Sequence, residues 1–143
     1  MKEEPQPSER ALQMLEEAVK VDIANLENGL EVLPWGMLQC AGVVGLETFV
    51  VGGGLAAHEV LEAARNVIRE RALELEAYVL CFDGKIATSD GPVRGLFYEL
   101  GERGQPVSFR YMRGYDYETG KNREIKWLPG WDGMLNPREP LLP

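Results

Sequence analysis

A glycine-rich segment in the first half of the chain gives the sharpest chemical signal in the sequence. Gly52, Gly53 and Gly54 follow a run rich in β-branched residues, and Ala57 and His58 open a segment with helical periodicity. Backbone N–H groups at such a strand-to-helix turn can hold a phosphate or another anion, and small residues let the ligand approach the backbone. The ligand-binding residues predicted on this basis are Gly52, Gly53, Gly54 and His58.

The same glycines can instead form a simple hinge between a strand and a helix. A dinucleotide-binding fold also needs an acidic residue roughly 20 positions onward, at the end of the next strand. The next strand here ends at Asp83, which is too late, and the later strands follow one another without crossover helices. A nucleotide or phosphorylated-metabolite binding protein, with or without enzymatic activity, is therefore kept as the first alternative function.

His58 is the only histidine, which restricts the available catalytic and metal chemistry. His58 and Glu62 stand four residues apart and could both ligate a metal on one helix face, but a third ligand is not evident. A catalytic triad would need His58 as its base, and nothing in the spacing of Ser89 and Asp90 links them to it. We therefore predict no catalytic residue, no metal site and no cofactor, and favour a protein without self-contained catalysis.

Basic and aromatic residues alternate along the second half of the chain. They are Arg110, Arg113, Lys121, Arg123 and Lys126, with Tyr111, Tyr115, Tyr117 and Trp127. On one sheet face such residues can stack on and neutralise single-stranded nucleic acid, which is the second alternative. Acidic residues are interspersed among them, and the net charge of −8 disfavours affinity for nucleic acid or an anionic membrane. Nucleic acid is therefore not the expected partner.

The composition is that of a single soluble domain of 143 residues, with 45% hydrophobic and 27% charged residues. Cys40 and Cys81 both lie in apolar runs, which favours reduced, buried thiols. Residues 1–7 are polar and proline-rich, so we predict a disordered tail and no signal peptide. No apolar stretch reaches the roughly 20 residues that span a bilayer. We expect a cytoplasmic protein without membrane contact.

Two amphipathic helices are predicted. Ser8 is a plausible N-cap for the first, and Asn28-Gly29 ends it. The second extends from about residue 55 to 75, with Arg65 on its outer, polar side. The apolar face expected for the first helix consists of Leu12, Leu15, Val19, Ile23 and Leu26.

The strands are harder to delimit. Trp35 is expected in a turn, and residues 37–44 fit either a buried strand or a short helix. Tyr78 to Phe82 is predicted to end in a turn at Asp83-Gly84, with residues 85–88 as the hairpin partner. The further strands expected are 48–51, 96–100, 107–111 and 123–127, and an irregular path is expected from about residue 129.

These elements predict an α+β fold: one domain over residues 8–143, with an antiparallel sheet of about four to six strands packed on two helices against one face. Leucine, proline and tryptophan residues near the C-terminus indicate a contribution to a homodimer interface. The expected partners are a second copy of the chain, another protein or a small anionic ligand. The leading interpretation is a small acidic binding or assembly module.

Overall fold

The computed structural model describes residues 5–29, 34–48, 57–117 and 125–143. In chain order the elements are α1 (Glu9–Glu27), β1 (Trp35–Cys40), β2 (Val43–Thr48), α2 (Ala57–Glu70), β3 (Ala77–Thr88), β4 (Gly91–Glu102), β5 (Ser108–Tyr117) and β6 (Ile125–Arg138). The strands form one antiparallel sheet in the order β2-β1-β3-β4-β5-β6. The predicted α+β class, with one sheet and two helices in a single domain, is confirmed.

Helix α1 begins and ends where its capping residues predict. The Ser8 Oγ accepts the backbone N–H of Ala11 at 3.1 Å, which satisfies one of the unpaired donors of the first turn. At the other end Gly29 takes a φ of +73°, which glycine adopts without steric cost. The Ser8 hydroxyl also donates to Glu102 Oε2 at 2.7 Å, so the start of α1 is attached to the end of β4.

The buried face of α1 is rotated from the predicted one. The residues that it buries are Ala11, Met14, Ala18, Asp22 and Leu26. Leu12 is 44% exposed, and Leu15 and Val19 pack only against the margin of the core. Small side chains at positions 11 and 18 let the helix approach the sheet closely. The prediction used only the spacing of apolar residues, so it could not include Asp22, which is polar but lies on the buried face.

β1 and β2 form a tight hairpin, which resolves the open choice between strand and helix for residues 37–44. The turn residues Ala41 and Gly42 have φ values of +50° and +79°, the combination of a type I′ turn that suits strand twist. Trp35, which was expected in a turn, is instead the buried first residue of β1. Thr48 ends β2, and residues 49–51 lie outside the described residues.

The predicted turn at Asp83-Gly84 is wrong, because β3 continues through both residues to Thr88. Gly84 pairs with Gly95 in the middle of the β3–β4 ladder, and the chain reverses at Ser89 and Asp90. Phe97, which is distant in sequence, packs against Gly84: a Cβ at position 84 would lie 3.3 Å from the Phe97 ring. The glycine therefore makes room for an aromatic side chain rather than for a turn.

The irregular path expected from residue 129 is also wrong, because β6 extends to Arg138. Arg113 pairs with Asp132 and Gly114 with Leu128, so residues 129–131 form a bulge. β6 is an edge strand, and prolines are tolerated at an edge because one side of the strand donates no ladder hydrogen bonds. Beyond β6, Leu141 and Leu142 are buried in the core of this same chain, so these two leucines are not exposed for an interface.

The two helices lie on opposite faces of the sheet, so the expectation that both cover one face is wrong. Successive strand residues point to opposite faces. Along β3, Val79 and Cys81 belong to the cluster that contains α1 residues, whereas Tyr78 and Leu80 belong to the cluster of α2. Both faces of the central strands are therefore buried, and each face has its own core.

Candidate functional site

The α2 face contains a buried ion pair between Arg65 and Glu99. Arg65 was predicted to point outward, which is wrong, since it is 1% exposed. Its Nη1 donates to Glu99 Oε1, and Tyr78 Oη donates to Glu99 Oε2 at 2.8 Å. A buried carboxylate requires such a counter-charge and hydrogen bonds to offset its lost hydration.

Tyr78 extends this pair into a buried polar network. Its Oη is hydrogen-bonded to Ser108 Oγ at 2.7 Å, and burial, reinforced by the charge of Glu99, raises the pKa of Tyr78 well above its usual range. The ring lies over Gly101, where a Cβ would come within 2.5 Å of Tyr78 Cε1. Glycine at position 101 therefore allows the tyrosine to reach the carboxylate.

A groove of about 450 Å³ lies above this network, between α2 and the end of β6. We call it the arginine groove. Its lining residues are Arg65, Arg69, Pro106, Val107, Pro137, Arg138, Glu139 and Pro140. Glu62 on α2 is beside it: Glu62 oxygens lie 3.3 Å from Arg138 Nη2, 3.7 Å from Arg65 Nε and 3.9 Å from Arg69 Nη1. One carboxylate thus faces three guanidinium groups.

Arg110 adds further positive charge on this face. Its Nε donates to the backbone oxygen of Asn136 at 2.7 Å. Burial and then the nearby charge of Arg138 lower the pKa of Arg110, and Glu99 opposes this effect. Arg110 pairs with Glu99 in the sheet and is therefore a fourth arginine near the buried carboxylate.

The opposite, α1 face has a separate polar group at Asp22, which is fully buried. Its Oδ1 accepts the indole N–H of Trp35 and its Oδ2 accepts the hydroxyl of Tyr98, both at 2.8 Å. Burial raises the pKa of Asp22 to about 6. Because both oxygens are used to connect α1 with β1 and β4, this arrangement has the geometry of a structural link.

One edge of the sheet is apolar and exposed. In β2, Val43 is 70% exposed, Val44 46% and Leu46 66%. A shallow groove of about 260 Å³ runs beside this strand, with Leu38 and Arg71 in its lining. Among the described residues β2 pairs with β1 alone, which makes it an edge strand of the described sheet.

The predicted anion site cannot be compared with this geometry. Gly52, Gly53 and Gly54 lie outside the described residues, and His58 is described only as part of the first turn of α2. The site therefore stays a prediction. Glu62, the partner considered for His58 as a metal ligand, instead faces the arginines. Within the described ranges no group of three or more His, Cys, Asp or Glu side chains is arranged to hold a metal ion.

The basic and aromatic residues of the second half do not share one exposed face. Arg113 lies over the ring of Trp127 at 4.1 Å, while Tyr115 is fully buried and donates to Asp83 Oδ2. Arg110 lies on the opposite face, beside Asn136. Lys121 and Arg123 are outside the described residues. The stacking surface required for single-stranded nucleic acid is therefore not assembled by the residues that are described.

The two cysteines are free thiols, as their apolar surroundings predicted. Cys81 is buried, and burial raises the pKa of its thiol. Cys40, which was also predicted to be buried, is only half-buried at the end of β1. A thiol held protonated is a poor nucleophile, so Cys81 is suited to packing.

Sequence reasoning missed the buried ion pair because each of its members resembles a surface residue in its own segment. Arg65 lies on the flank of an otherwise apolar helix stripe, next to Ala64 and one turn from Ile68. Glu99 stands between Tyr98 and Leu100 in a strand that is buried on both faces. An acidic residue inside such a strand was the available signal that a cation had to lie opposite.

Comparisons with protein-family models, with curated proteins and with solved structures gave no match. The helices in the described part of the chain are too short or too polar to cross a membrane.

Proposed function

We propose that the protein is a small binding and assembly module that acts by strand addition at β2, and that its partner is a second copy of the chain. The observation that supports the proposal is the exposure of three large apolar side chains, Val43, Val44 and Leu46, on a six-residue edge strand. Edge strands of this kind form templates for pairing. Burying them at an interface would remove that apolar surface from water.

The contrast between the two edges of the sheet supports this assignment. β6 has prolines at positions 129 and 137, and its register against β5 is interrupted twice, which are features that hinder edge-to-edge pairing. β2 has neither proline nor lysine, and its register with β1 is continuous from Val43 to Thr48. Only β2 among the two described edges is suited to accept a strand.

The charge distribution is compatible with self-association. Glu47 is the only charged residue of β2, and its Oε2 is 2.9 Å from Arg71 Nη1 of the same chain. Two antiparallel copies of β2 related by a two-fold axis would form a closed, isologous interface without an unpaired charge from either strand. The net charge of −8 opposes association by long-range repulsion, so added salt should strengthen the dimer.

The interface proposed at β2 takes the place of the one expected from the C-terminal tail. Leu141 and Leu142 are used to complete the core beneath α2, where they contribute to folding of the single chain. In the two buried networks on the sheet faces, both oxygens of Asp22 and both oxygens of Glu99 are paired within the same chain. The function proposed therefore rests on surface complementarity at an edge rather than on a reaction centre.

Leu46→Lys tests the proposal, because lysine at an edge strand is a natural block to pairing. In sedimentation velocity we expect a dimer for the wild type and a monomer for Leu46→Lys. Leu73→Lys is the matched control, since Leu73 is 88% exposed in the turn that follows α2 and lies outside β2. It should remain dimeric.

Both substitutions replace an exposed leucine, so both variants should keep the wild-type melting curve at a concentration where the wild type is monomeric. A wild type that stays monomeric at high concentration and high salt would overturn the proposal. Dissociation of the Leu73→Lys control together with Leu46→Lys would also count against β2 as the interface.

A further inference from the structure

We infer that the arginine groove binds the phosphate group of a small phosphorylated molecule. The groove is not lined by Gly52, Gly53 or Gly54, and the inference does not depend on the dimer proposed above. Three guanidinium groups, those of Arg65, Arg69 and Arg138, line it. Guanidinium forks bind phosphate with paired hydrogen bonds of matched geometry.

The buried Arg65 supplies the strongest observation. Its side chain is 2% exposed, yet among the described residues its Nε makes no hydrogen bond. The Oε1 of Glu62 lies 3.7 Å from that nitrogen, beyond hydrogen-bond distance. A buried donor without an acceptor is costly, and Arg65 forms part of the groove wall. An anion that took the place of Glu62 beside this nitrogen would supply the missing acceptor.

The two outer arginines have capacity to bind a ligand. Arg69 is 46% exposed at its side chain and Arg138 35%. The hydrogen bonds that they make in the described structure use one nitrogen each: Arg69 Nη1 donates to Asn66 and Arg138 Nη2 donates to Glu62. A guanidinium group has five N–H donors, so most of their donors remain for a phosphate.

The size and walls of the groove fit a small molecule. A volume of about 450 Å³ lies within the range of about 300–1,000 Å³ found for small-molecule sites. Pro106, Pro137 and Pro140 give it rigid apolar walls, which could contact the non-phosphate part of the ligand. The groove is too small for an extended polyanion, and its positive charge lies within an acidic protein that would repel one.

Glu62 occupies the position of a competing anion. It is 46% exposed at its side chain and faces all three arginines. A phosphate entering the groove would replace this carboxylate as the partner of the guanidinium groups. The geometry therefore predicts opposite effects for two substitutions: loss of Arg138 weakens binding, and loss of the Glu62 charge strengthens it.

The test is isothermal titration of inorganic phosphate and of phenyl phosphate, with acetate at equal ionic strength as the carboxylate probe. Arg138→Gln should bind both phosphates at least about tenfold more weakly, the effect of losing one charge-assisted hydrogen bond. Glu62→Gln should bind both more tightly. Lys20→Gln is the matched control: it removes one positive charge at an exposed site on α1 and should leave affinity unchanged.

The results separate free phosphate from a phosphorylated molecule. Tighter binding of phenyl phosphate than of inorganic phosphate supports contact with the proline walls, and equal binding assigns the site to phosphate alone. The inference is overturned if the folded wild type binds neither phosphate, if acetate binds equally well, or if Arg138→Gln and Lys20→Gln behave alike. The sedimentation behaviour of Arg138→Gln should match the wild type, so this test and the dimer test fail independently.

Discussion

Asp22 is a fully buried carboxylate whose ionisation should make the stability of the fold depend on pH. The pKa of Asp22 is raised from 3.8 to about 6, chiefly by burial; the hydrogen bonds from Tyr98 and Trp35 oppose the increase, and the charge of Asp83 adds to it. The folded protein therefore binds this proton more tightly than the unfolded chain does. Protonated Asp22 favours the folded state, and ionised Asp22 disfavours it.

The sign and the size of the effect follow from these two pKa values. Well below pH 3.8 the carboxyl is protonated in both states and imposes no ionisation penalty. As pH rises from 3.8 to about 6, the unfolded chain ionises first and stability falls. The loss is nearly complete about one pH unit above the folded pKa of about 6. At about 1.36 kcal/mol for each pH unit, the total amounts to about 3 kcal/mol.

Asp22→Asn isolates this contribution, because asparagine has nearly the same shape but does not ionise. It keeps an acceptor for the Trp35 N–H, while its amide replaces the oxygen that accepts from Tyr98. The free energy of unfolding of the wild type minus that of the variant should fall by about 2.4 kcal/mol between pH 4 and pH 7, somewhat less than the total because Asp22 in the unfolded chain is already more than half ionised at pH 4. Other carboxylates contribute equally to both proteins and cancel in this difference.

Urea denaturation followed by tryptophan fluorescence at several pH values measures this difference directly. Glu17→Gln is the matched control, since it removes a carboxylate that is 65% exposed from the same helix. A difference between wild type and Asp22→Asn that stays constant across the range would refute the reasoning. A difference that increases with pH would show that the hydrogen bonds outweigh burial.

Two further substitutions test the α2 face. Arg65→Met should destabilise the protein by about 3–5 kcal/mol, because Glu99 would be left as a buried, uncompensated charge. In urea denaturation, the double variant Arg65→Met with Glu99→Gln should recover part of this loss of stability. If the double variant recovers nothing, the arginine contributes through packing alone. Gly101→Ala should cost about 1–3 kcal/mol, since its Cβ would lie 2.5 Å from Tyr78 Cε1. Thermal melts compare it with Gly101→Ala in a Tyr78→Leu background, where the clash with the ring is absent and the cost should shrink.

The parts of the fold that sequence predicted correctly depend on local signals. Ser8 caps α1 through a residue three positions away, and Gly29 ends it with its own backbone conformation. The two helices and the alternating strand that begins near residue 107 likewise follow from periodicity within each segment. Such features can be predicted from the sequence because the residues that cause them are neighbours in the chain.

The parts that sequence did not predict depend on distant residues. Gly84 resembles a turn glycine, and its role is fixed by Phe97 on the next strand. Arg65 and Glu99 are 34 positions apart, and Asp22 and Tyr98 are 76 apart. Each charged residue can be buried only because its partner is buried beside it. A prediction from hydrophobic periodicity places every charged residue on the surface, so it cannot find such pairs.

The two buried networks meet on adjacent residues of β4, and this arrangement explains how two helices on opposite faces keep a fixed position relative to each other. Tyr98 points toward α1 and binds Asp22, whereas Glu99 points toward α2 and binds Arg65. Apolar packing is non-directional and would tolerate sliding of either helix along the sheet. A buried hydrogen bond is directional, and displacement of either helix would leave a charged group without its partner. The polar residues that violate the amphipathic pattern are thus the ones that set the register of both helices, with β4 as their common reference.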